Sequence, residues 1–156
     1  STYKLYIFKY YDVNPATDTA NWTFQVNVAG QSGFNEVLTS TNFWAWHTEA
    51  DGTALEYEGA LDQAQGTAYQ QILSTGTGAD NDQSASGILT LYDPSSTTFV
   101  KHFTSEGSGV HEDDWVMVSH VAGYINTTSA IDEISFKFDS GNIDAGVIKM
   151  YGLATS

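Results

Sequence analysis

A hydrophobic repeat of two constrains this chain more than any other feature. Trp22, Phe24, Val26 and Val28 alternate with Thr23, Gln25 and Asn27. Successive side chains of an extended strand point to opposite faces, so this spacing builds one apolar face and one polar face. The polar face is expected to meet water. A helix would need apolar residues three and four apart, and that pattern is nowhere sustained. Residues 60–65 have room for one helical turn, but Gly59 and Gly66 bracket them closely. Residues 3–11 are apolar at both parities, with Leu5 and Ile7 alternating with Tyr6 and Phe8. That predicts a central strand covered on both sides, or one that contacts a neighbouring subunit.

Further strands are expected at 42–47, 67–73, 87–92, 97–104, 115–126, 131–138 and 147–153. Turn chemistry separates them. Asp93, Pro94, Ser95 and Ser96 predict a tight turn, with Pro setting φ and Asp able to cap it. Residues 76–83 and 105–109 lack apolar periodicity and read as loops. The expected fold is all-β, an antiparallel β-sandwich or jelly roll of about eight or nine strands. No repeat and no domain boundary interrupts it, so residues 1–156 read as one domain. Strands begin and end close to both termini, as expected of a domain cut from a longer protein or of a mature subunit.

Charge narrows the function. Five Lys, no Arg and 19 acidic residues give a formal net charge of −14. Nucleic-acid binding needs cations to displace counterions from phosphates, so no nucleic-acid partner is expected. Anionic membranes are disfavoured for the same reason, and no apolar run approaches the length of a membrane helix. Cysteine is absent, which excludes disulfides and thiolate metal sites. Aromatics make up 13% of the chain, which sets it apart from an acidic disordered tail.

Catalytic motifs are missing. There is no Gly-x-Ser-x-Gly elbow and no HExxH. His47, His102, His111 and His120 lack zinc spacing, although His102 and His120 lie in expected strands and have the option of meeting across a sheet. No enzyme is expected and no cofactor, calcium excepted. Asp80, Asn81 and Asp82 put alternating oxygen ligands in a Gly-rich loop, as calcium requires, but without EF-hand spacing. A solvated acidic loop is the plainer reading, and it serves equally for Glu112, Asp113 and Asp114 beside His111. Trp44 and Trp46 are two apart and share a strand face, which makes them candidates for stacking on sugar rings. The competing reading is that they pack in the core or at a subunit interface, because large rings usually bury area.

Several stretches resemble a domain of tailed-phage structural proteins, especially phages of cyanobacteria and other aquatic bacteria. They are residues 12–18, 24–27, 33–36, 62–67 and 94–103, and above all 123–132 with 146–152. The resemblance covers nearly the whole chain and is to fibre, tailspike and head-decoration modules, where the domain is often C-terminal. It implies a virion location, other virion proteins as partners, a symmetric homo-oligomer such as a trimer, and adhesion to host-surface glycan or decoration of the particle. No catalytic residue comes with it. Two alternatives stand beside it. One is a carbohydrate-binding module of a secreted enzyme. The other is a polysaccharide depolymerase, which would need two carboxylates roughly 5–10 Å apart in a groove.

Overall fold

The computed structural model describes residues 3–154. They form eleven strands and no helix: β1 (Leu5–Pro15), β2 (Trp22–Val28), β3 (Leu38–His47), β4 (Thr53–Tyr57), β5 (Ala64–Gly66), β6 (Gln70–Gln71), β7 (Ala85–Tyr92), β8 (Lys101–Val110), β9 (Val116–Ile125), β10 (Ile131–Phe138) and β11 (Ile143–Leu153). The large sheet runs β11-β1-β7-β8-β9-β3-β4, with β5 paired to the start of β3. Every neighbouring pair along it is antiparallel. A small sheet, β10-β2-β6, packs on one face of the large one. The fold is therefore an all-β sandwich with unequal layers.

The core lies between the layers. Phe8, Tyr10, Leu89, Leu91, Phe103 and Val121 come from the large sheet, and Trp22, Phe24, Val26 and Phe138 from the small one. Rings meet across the gap, Phe24 with Phe103 at 4.9 Å between centroids and Tyr10 with Trp22 at 5.8 Å. Each buried side chain of this size stabilises the fold by roughly 1.5–3 kcal/mol, and each ring pair adds about 0.5–1.5 kcal/mol. Gly87 and Gly107 face each other on β7 and β8. A Cβ at either would collide with the Tyr10 phenol, so the two glycines create the slot this ring fills.

Four expectations need correction. The strand count is higher than expected, because β4 and β5 were not legible as strands and β6 is only a remnant of the stretch expected at 67–73. Residues 105–109 are not a loop but the second half of β8. Gly107 and Gly109 point inward there, where small residues leave room for Tyr10 and Met117. The stretch 60–65 holds no helical turn; bends carry the chain into β5.

The fourth concerns β2, which is buried on both sides, Thr23, Gln25 and Asn27 included. Loops cross its polar face. Gln25 Nε2 donates to the carbonyls of Glu36, Thr67 and Ala68, and Asn27 Nδ2 donates to the carbonyl of Gln31 and to the Glu133 carboxylate. Polar side chains are stable there because they satisfy backbone groups that would otherwise be orphaned.

Candidate functional site

The outer face of the large sheet, turned away from the core, is built from small residues at its centre. Ser86 and Thr90 on β7, Thr104 and Ser108 on β8, Ala122 on β9 and Thr41 on β3 all project from it. Side chains this short leave a depression between bulkier neighbours, a trough of about 590 Å³. Among the described residues, the hydroxyls of Thr41, Thr90 and Ser108 take no protein partner, so they face solvent with donors and acceptors free.

One register row crosses this face on seven strands: Lys149, Lys9, Ile88, Glu106, His120, Phe43 and Tyr57. Phe43 and His120 stack at 5.0 Å with their planes 17° apart. Phe43 is 48% exposed, so one ring face remains open. The Glu106 carboxylate lies 3.6 Å from His120 Nδ1 and is well exposed. The trough thus offers an apolar ring, an imidazole, a row of hydroxyls and one carboxylate, without any lysine or arginine in its lining.

The candidate tryptophans lie elsewhere. Trp44 and Trp46 do share a face, but it is the opposite side of β3 from Phe43. Trp44 is buried and Trp46 half-buried, and each packs 5.9 Å from the ring of Trp115, on which His111 stacks at 4.2 Å. This cluster stands apart from the main core, at the β3–β9 end of the sandwich. Trp44 presents no open face for stacking.

The loop holding Asp80, Asn81 and Asp82 is organised by backbone contacts. Gln83 is buried; its backbone N–H donates to the Asp80 carbonyl and its side-chain amide donates to Asp114 Oδ1 at 2.8 Å. Asn14 Nδ2 donates to the carbonyls of Asp80 and Gln83. Among the described residues, neither Asp80 nor Asp82 joins a group of three converging histidine or carboxylate ligands. The group that does converge is His111, Glu112 and Asp113. It sits in a tight turn in which Asp114 N–H donates to the His111 carbonyl and Asp113 N–H to His111 Nδ1, so turn geometry accounts for it. His102 and His120 do not meet: in the register of β8 and β9, His102 faces Tyr124 and His120 faces Glu106.

Sequence reasoning missed Phe43, Glu106 and the hydroxyl row, and weighed His120 only as a metal ligand or a partner of His102. The signal was present in β8, where Thr104, Glu106 and Ser108 alternate with Phe103, Ser105 and Gly107. Glycine at the inward positions hid the period, because the apolar volume filling that space comes from Tyr10 on another strand. Compared with models of protein families, with curated proteins and with solved structures, the chain matches none.

Proposed function

We propose that this domain is a non-catalytic recognition module that binds glycan in the trough on the outer face of its large sheet. The observation that carries the reading is the register row of Phe43, His120 and Glu106 beside the free hydroxyls of Thr41, Thr90 and Ser108. A sugar ring has an apolar CH face and a rim of hydroxyls. An exposed aromatic ring next to hydroxyls and a carboxylate complements both. The lining has no cation, and the chain carries −14 overall, so neutral or amino sugars suit it better than uronic or sialic acids.

Glycoside hydrolysis requires two carboxylates flanking the bond. Among the described residues that line the trough, Glu106 is the one carboxylate, which favours binding over cleavage. The resemblance to phage fibre, tailspike and decoration modules supports a setting on a virion surface, where such a domain would attach to host-envelope glycan. A glycan array probed with the purified domain tests the reading. Retention of neutral or amino-sugar oligosaccharides is expected, with no shortening of the bound chains. Uniform absence of signal, or release of oligosaccharide products, would overturn it.

A further inference from the structure

We propose that, given the glycan reading of the trough on which this rests, Lys9 and Lys149 form a subsite for an acidic sugar residue of the same glycan chain. Lys9 on β1 and Lys149 on β11 are direct partners in the antiparallel register. Both stand on the outer face, in the row that continues through Ile88 to Glu106 and His120. Side chains paired in this way have Cβ atoms roughly 4.5–5.5 Å apart, and like charges there repel. The chain holds 19 acidic residues against five lysines. Even so, among the described residues Lys4 has a carboxylate partner, Asp93, while neither Lys9 nor Lys149 has one.

Two tyrosines frame the pair. Tyr11 and Tyr151 each follow one of the lysines by two positions and so share its face. The Lys9 ammonium lies 6.0 Å from the centre of the Tyr151 ring, and the Lys149 ammonium 5.8 Å from that of Tyr11. The contacts cross between the strands, which gives the four residues a local two-fold symmetry. The rings orient the cations without neutralising them, and both rings are exposed. Edge protection does not account for the arrangement. A lysine on a terminal strand discourages pairing with another chain, and Lys149 on β11 serves that end. β1 is not an edge strand, and a glutamate at position 9 would turn the repulsion into an ion pair. Lys9 doubles the charge instead, which favours an anion from outside the chain.

The neighbourhood selects the kind of anion. Lys9 stands beside Ile88, which lines the trough, so the pair begins one strand spacing, about 4.8 Å, beyond the trough wall. A glycan lying across the strands passes from the Phe43 ring and the hydroxyls to the two lysines. The lining itself has no cation and suits neutral residues; the acid belongs outside it. Glu106 lies two strand spacings, about 10 Å, from Lys9. Glu106 and the net charge of −14 repel a polyanion, so the acid is a single group on an otherwise neutral chain.

A glycan array on which neutral chains appear beside the same chains bearing one uronic or sialic acid provides the test, read with wild type and with K9Q/K149Q. For a chain that wild type retains, the acid-bearing member is expected to give about fivefold more signal, a preference that shrinks as ionic strength rises. In K9Q/K149Q the two members are expected to converge. Amide shifts of isotope-labelled wild type locate the contact. The acid-bearing chain is expected to move residues 7–11 and 147–151 together with the trough, and its neutral parent the trough alone. Equal retention of both members by wild type, or a preference that persists in the folded double variant, would overturn the proposal and leave the glycan reading standing. So would shifts at the lysines that inorganic phosphate or phosphatidylserine vesicles reproduce at the same concentration. An array silent to every glycan would overturn both. If the double variant fails to fold, the amide shifts of wild type carry the test.

Discussion

The phenol of Tyr10 lies against the Cα of Gly107, in space that any side chain at that position would occupy. The ring is fully buried, on the strand next but one to β8, and it also packs on Trp22. Gly107→Ala is therefore an overpacking change, and it should lower unfolding free energy by about 1–3 kcal/mol. Tyr10→Phe in the same background removes the colliding oxygen and should recover part of the loss. Urea titration of the two single variants and the double variant measures the coupling.

Burial pushes the Tyr10 hydroxyl pKa above its ordinary value of 10.0, and the Ser105 hydroxyl offsets only part of the shift. The folded state thus holds a proton that the unfolded chain releases above pH 10, and stability falls as pH rises through that window. Lys101 acts in the opposite sense. Desolvation lowers its pKa from 10.5 against the pull of Asp93, so the cost of burying its charge fades as pH approaches that value from below. Tyr10→Phe should flatten the alkaline decline of unfolding free energy while leaving the neutral-pH value within about 1 kcal/mol. An equally steep decline in the variant would remove Tyr10 as its source.

Phe43 and Trp44 are sequence neighbours on opposite faces of β3, one exposed and one buried. Phe43→Ala removes the open ring of the trough and should reduce glycan-array signal by tenfold or more, with little change in melting temperature. Trp44→Ala empties a buried site and should cost roughly 3–5 kcal/mol of stability, while the folded fraction still binds. The opposite pattern would return the binding role to the tryptophans.

Gln25 holds two loops over β2 through three backbone carbonyls. Gln25→Leu keeps the bulk but leaves those acceptors without a donor, and it should destabilise by about 2–4 kcal/mol. Hydrogen exchange should then rise first in residues 29–37 and 67–69. Uniform exchange across the fold would show that the loops are held by something else.

Much of the fold was legible because strand alternation is a local property. The boundaries of β2 and β10 match the alternation residue for residue, and the loop at 76–83 follows from its lack of period. β4 escaped notice because it pairs at an edge, where Leu55 and Tyr57 stay exposed and no core face has to be filled. The trough escaped because hydroxyls and glycines carry no hydrophobic signal, and because its residues are assembled from several strands far apart in the chain.

The order of residues by itself determined that this chain forms sheets and where most strands lie. All of that depends on neighbours within a few positions. Only the tertiary structure decided which polar faces are wet and which lie beneath loops, and that the two tryptophans turn inward. Those outcomes depend on which strands pair. Strand pairing is set by the packing of residues far apart in the chain, so no local pattern carries it.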